Sequence, residues 1–94
     1  MPFILIHHKV ADYTTWKPLF DQHAATRQAG GCLGGQLFHT AHDANDLVIL
    51  LRWDDAEKAR QFAQSSNLRE VMQKAGVIGQ PDVYFLETIE DVAV

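Results

Sequence analysis

The chain has a single cysteine, Cys32, so no disulfide can tie one part of it to another. That economy fits a reducing compartment. Basic residues are few: eight Lys and Arg stand against twelve Asp and Glu, a formal net charge of −4. No basic stripe is present, which argues against a nucleic-acid partner. No apolar run reaches the ~20 residues that cross a bilayer, so no membrane partner is expected. The first residues lack the basic region of a secretory signal, and a cytoplasmic location is expected. Internal repeats, linkers and low-complexity tracts are also missing. With 94 residues, 47% of them apolar, the expectation is one domain over residues 1–94.

Strand and helix signals follow one another closely. Residues 2–10, PFILIHHKV, carry the branched and aromatic residues of a strand. Asp12 is placed to cap a helix over 13–29, where Tyr13, Trp16, Phe20, His23, Ala24 and Arg27 share one stripe. Pro18 leaves the Thr14 carbonyl without its donor, and Gly30 and Gly31 end the helix. Strands are expected at 34–40 and 46–53, with a turn between them at 41–46. Asp54 and Glu57 have capping-box spacing at the head of a helix over 54–66. Residues 67–76 form a second helical piece with Leu68, Val71 and Met72 inward. The GQPD stretch at 79–82 breaks the chain before a last strand at 83–89.

The order βαββαβ is that of the ferredoxin-like α+β sandwich, a four-stranded antiparallel sheet with helices on one face. Right-handed crossovers place strand 1 between strands 4 and 3, with strand 2 at an edge. Both faces of the strands are apolar. Phe3 and Leu5 oppose Ile4 and Ile6, and Leu47, Ile49, Leu51 and Trp53 oppose Val48 and Leu50. Two helical segments cover one face only. The other would leave a large apolar patch in water, and a second copy of the chain is the simplest cover. A homodimer through the sheet face is therefore expected.

Four of the five histidines gather, by topology, at one end of the sheet: His7 and His8 in strand 1, His39 in strand 2 and His42 in the turn, near Asp12, Trp16, Asp82 and Tyr84. His23 lies further along the first helix. Adjacent strand residues face opposite sides, so His7 and His8 cannot share a site without a bulge. No histidine–carboxylate set has metal-ligand spacing, and no metal is expected. Arg27 and Arg52 are candidate anion anchors whose default is solvation or ion pairing. Cys32 has no base partner that would make it a nucleophile.

The stretches DYTTWKPLFDQH at the first helix and ILLRWDDAEKARQFAQSSNLREVM joining strand 3 to the second resemble the antibiotic biosynthesis monooxygenase-like family of dimeric α+β barrel proteins. The weightiest part is the strand-end Trp followed by an acidic cap and a helix with FAQS. The resemblance covers nearly the whole chain and implies the fold more firmly than an activity. Such families include cofactor-independent oxygenases of aromatic polyketides, haem-degrading enzymes and isomerases. Trp53 matches the Trp of the haem-degrading relatives, but His7 stands where they have Asn, and residues 54–76 contain no histidine to bind haem. Quinone-forming relatives carry an Asn four residues before the Trp, where this chain has Ile49.

The resemblance places His7 on the helix side with Phe3 and Leu5, and His8 on the dimer side with Ile4 and Ile6. It implies a pocket between helices and sheet, bordered by Trp16, Phe20, Trp53, Phe62 and Met72, with His7 or His23 as general base. The expected ligand is a small apolar or aromatic molecule with one or two polar groups. The expected chemistry is oxygenation or isomerisation at an acidic carbon, with no cofactor. The rival readings are a non-catalytic binding module using the same pocket, and a structural or stress-related homodimer with a filled core.

Overall fold

A computed structural model describes all 94 residues. The elements run β1 (Pro2–Val10), α1 (Tyr13–Gln22), α2 (Ala24–Ala29), β2 (Cys32–Thr40), β3 (Asp43–Trp53), α3 (Ala56–Ala63), α4 (Ser66–Lys74) and β4 (Val77–Glu87). The sheet order is β2-β3-β1-β4, with every neighbouring pair antiparallel. This is the ferredoxin-like α+β arrangement, with β1 and β3 central and β2 at an edge.

Register decides which apolar parity of β1 meets the helices. Ile4, Ile6, His8 and Val10 are buried, while Phe3, Leu5 and His7 are only half-buried and Lys9 is exposed. Across the ladder, Leu51, Ile49 and Leu47 pair with Ile4, Ile6 and His8. These residues, apart from His8, join Trp16, Phe62, Ala59 and Leu68 of the helices in one core cluster. The expected faces are therefore exchanged. Ile4, Ile6 and His8 lie under the helices, and Phe3, Leu5 and His7 lie on the open face. The physical reason is visible at the strand end: Lys9 needs water, and its parity goes to the side the helices leave open.

The helix expected over 13–29 is divided at His23. Asp12 caps α1, accepting from the Thr14 N–H at 2.9 Å and from its hydroxyl at 2.8 Å. The His23 N–H is shared between the Leu19 and Phe20 carbonyls at 3.2 Å each, a local tightening that turns the chain into α2. The Asp54–Glu57 capping box does not form. Asp55 holds the cap position without a side-chain bond, and Asp54 instead pairs with Lys58 at 3.3 Å. Ser65 caps α4, its hydroxyl accepting from the Leu68 N–H at 3.2 Å.

The β2–β3 hairpin is tighter than the composition of 41–46 suggests, because Thr40 already pairs with Asp43. Asn45 is used as a strap rather than a turn residue: its Oδ1 accepts from the Tyr13 N–H at 2.8 Å and ties β3 to the head of α1. β4 starts at Val77 and runs through the expected break. Register passes from Lys9–Ile78 to His7–Asp82, so Gly79, Gln80 and Pro81 bulge opposite His8. An edge strand tolerates such a proline and bulge. The β1–β3 pairing stays regular through the same residues, so the parity of β1 is kept.

On the open face, Phe38, Tyr84 and Leu86 are 48%, 55% and 40% exposed beside half-buried Phe3, Leu5, Val48 and Leu50. No helix is long and apolar enough to cross a membrane.

Candidate functional site

The helix side of the sheet is not filled to the last atom. A cavity of about 40 Å³, space for a very few water molecules, lies between β1, β3 and the helices. Ile6 and His8 of β1 and Ile49 and Leu51 of β3 form its floor. Trp16 and Phe20 of α1, stacked at 4.8 Å, form one wall, and Phe62, Leu68 and Met72 of α3 and α4 form the other. His23 and Arg27 are the other polar residues of the lining. A neighbouring cleft of about 130 Å³ shares Phe20, Arg27 and Leu51 with the cavity and is completed by Cys32, Gly34, Gly35, Gln36 and Leu37.

His8 is the chemically distinctive group. It is 5% exposed, meets the indole of Trp16 edge-on at 5.8 Å, and both its ring nitrogens are buried without a hydrogen-bond partner. Burial strips water from the imidazolium and lowers its pKa from 6.5 to about 4; His7 pushes the same way and Asp46 opposes. At neutral pH the ring is uncharged, with one N–H to give and one lone pair to accept. Leaving a buried polar group unpaired costs ~1–3 kcal/mol. Such a group in a residue that lines a cavity is suited to a ligand that supplies the missing partner.

His23 is also buried, but its Nε2 donates to Asn67 Oδ1 at 2.8 Å, which joins the α1–α2 turn to α4. Arg27 is half-buried. Its guanidinium lies 3.8 Å from the centre of the Phe20 ring, and Nη1 donates to the Phe20 carbonyl at 2.8 Å. Burial lowers its pKa, against the pull of Cys32 and Asp21.

Of the expected site residues, Trp16, Phe20, Phe62, Met72 and His23 are brought together around the cavity. Trp53 is not at its wall. It is fully buried behind Phe62, ring centres 4.9 Å apart, with its indole N–H unpartnered. His7 is on the opposite face of the sheet, where Asp46 lies 2.8 Å from its Nε2 and Asp82 lies 3.9 Å from its Nδ1. Its expected place beside the pocket is thus corrected by the register, and His8 occupies the position that His7 was expected to hold. His39 is exposed, its Nδ1 donating to the Thr40 carbonyl at 2.8 Å. No group of three or more His, Cys, Asp and Glu side chains is arranged to hold a metal ion.

Comparison with known proteins bears on this geometry. A family model described as antibiotic biosynthesis monooxygenase matches residues 11–74. The chain belongs to this family. The matched segment carries every lining residue of the cavity except Ile6, His8 and Ala75. Among solved structures, SnoaB, a cofactor-independent oxygenase from Streptomyces nogalater, is 13% identical with a TM-score of 0.77, covering 97% of this chain and 95% of its own. An antibiotic biosynthesis monooxygenase is 17% identical with a TM-score of 0.71, covering 96% and 100%. Rv0793 from Mycobacterium tuberculosis is 15% identical with a TM-score of 0.69, covering 99% and 100%. Identities this low speak to the shared fold. No curated protein matches the sequence.

Proposed function

We propose that this family member is a cytoplasmic, homodimeric, monooxygenase-like enzyme. It works on a small apolar or aromatic molecule held between helices and sheet, without a bound cofactor. The observation that carries the reading is His8: a buried, neutral imidazole with both nitrogens unpartnered, in a residue that lines a mainly apolar cavity together with His23 and Arg27. Its lone pair accepts the proton of a phenol or of an acidic C–H. The ion pair so formed stays together because separated charges are costly in so dry a site. This counters the low basicity of the free imidazole, since the substrate anion stabilises the imidazolium. An electron-rich carbanion or phenolate then reacts with dioxygen itself. For a CH₂ oxidised to C=O, one oxygen atom goes to carbon and the other leaves as water with the two hydrogens. His23 is the second candidate base.

The cavity is small beside the volumes of common ligand sites, so entry needs Phe20 or Arg27, which border both it and the neighbouring cleft, to move. The homodimer reading rests on the open sheet face, where Phe38, Tyr84 and Leu86 stand in water beside half-buried Phe3, Leu5, Val48 and Leu50. Two copies face to face would cover this area in one two-fold interface.

The test is oxygen consumption over a panel of phenols, quinols and anthrones. We expect at least one to be turned over, with His8→Leu reducing the rate about a hundredfold, in the range of a lost general base. His7→Ala should retain it. Ligand binding without oxygen consumption would instead assign the chain as a binding module.

A further inference from the structure

Arg27 carries a positive charge at the join between the cavity and its neighbouring cleft, and no carboxylate within ion-pair distance balances it. The ion pairs of this chain go elsewhere; Asp21, the acid that acts on Arg27 electrostatically, is bound to Lys17. One guanidinium N–H is used by the Phe20 carbonyl, and the ring of Phe20 supports the flat face of the group at 3.8 Å. A guanidinium has five donors in a planar fork. The main-chain bond and the stacking hold the group beside the cleft and leave its other donors to water or to a ligand. Partial burial makes this unbalanced charge costly, as the lowered pKa also indicates. An anion is the partner that relieves it, and bidentate contact with a planar carboxylate suits the fork.

We propose that Arg27 is the specificity-determining residue of the cavity and selects an aromatic monoanion, its ring among Trp16, Phe20 and Phe62 and its carboxylate or acidic enolate on the guanidinium. The inference rests on the cavity being the ligand site. The ligand is then held at two points: His8 from the sheet side and Arg27 from the cleft side. A neutral aromatic of the same shape would use the cavity but leave the charge unpaired. Its affinity should therefore be about tenfold weaker or more, since a charge-assisted hydrogen bond is stronger than a neutral one.

The test uses matched probes, benzoate and benzamide, titrated into the whole protein, with the imidazole resonances of His8 followed by NMR to report cavity occupancy. Wild-type protein should bind benzoate at least about tenfold more tightly than benzamide. Arg27→Gln removes the charge; it should bring the two probes within about threefold of one another. Arg27→Lys should recover part of the preference, because it restores the charge without the fork. If benzamide perturbs His8 while benzoate gains nothing, or if the preference survives in a folded Arg27→Gln protein, Arg27 does not select the ligand although the cavity remains the site. If neither probe perturbs His8, the cavity reading fails and this inference with it.

Discussion

Replacing His8 by leucine should make the protein more stable and less active. The imidazole is 5% exposed and both nitrogens lack partners. Leucine has a similar volume and no polar atoms. Removing unpaired buried groups recovers ~1–3 kcal/mol. The edge-on contact with Trp16 is lost, at ~0.5–1.5 kcal/mol. The expected net gain at pH 7.5 is about 1 kcal/mol, which raises Tm by roughly 4–8 °C for a domain of this size. Protein concentration must be held fixed, since self-association would move Tm as well.

Acid strengthens the contrast. The pKa of His8 is about 4 when folded, against 6.5 unfolded. Between those values the unfolded chain binds the extra proton, so stability falls as pH is lowered through the window. By linkage, wild type should lose roughly 2.5 kcal/mol more than the leucine variant between pH 7.5 and 4.5. Carboxylates titrate in both proteins, and the difference between the two curves isolates His8. Urea melts at the two pH values are the assay. Equal losses in the two proteins, or a leucine variant less stable than wild type at pH 7.5, would refute the claim that His8 is buried, neutral and unpartnered.

Two further substitutions test the assigned faces and the hairpin. Leu50→Asp on the open face should give a folded monomer by light scattering and circular dichroism, whereas Ile6→Asp, at a site 3% exposed under the helices, should unfold the chain. Gly35→Ala should cost at least about 2 kcal/mol in a urea melt, a core-disrupting magnitude, because a Cβ there would lie 1.9 Å from the Leu50 carbonyl oxygen and force β2 away from β3.

Most of the fold was legible because each element carried its own signal. The βαββαβ order followed from apolar runs separated by caps and glycines, and Asp12 capped where its position implied. The misses came where a tertiary contact overrode a local cue. The GQPD break is a bulge because β4 is an edge strand with room for one. Asp54 is recruited by Lys58 rather than by the helix start. The division at His23 serves a bond to Asn67, which lies 44 residues away and has no trace in the local pattern.

The site is partly legible, and its central residue lies on the face opposite to the one expected for a reason that the sequence itself contains. In PFILIHHKV both parities are apolar up to residue 6, so hydrophobicity gives no vote there. The vote comes from the ends. Lys9 shares the parity of Phe3, Leu5 and His7, while Val10 shares that of Ile4, Ile6 and His8. In the third strand Asp46 and Arg52 flank Val48 and Leu50, while Leu47, Ile49, Leu51 and Trp53 form an unbroken apolar set. Within residues 3–10 and 46–53, the charged residues Lys9, Asp46 and Arg52 thus fall on the open-face parity. A charge at a strand end reaches water past the rim of an interface, whereas beneath the layer of helices it has no exit. Read that way, the two margins agree, and they put His8, not His7, under the helices. A polar residue on an otherwise apolar buried parity is the position where the chain departs from the packing rule that governs the rest of the strand. Such departures concentrate at functional sites, and His8 is that departure in β1.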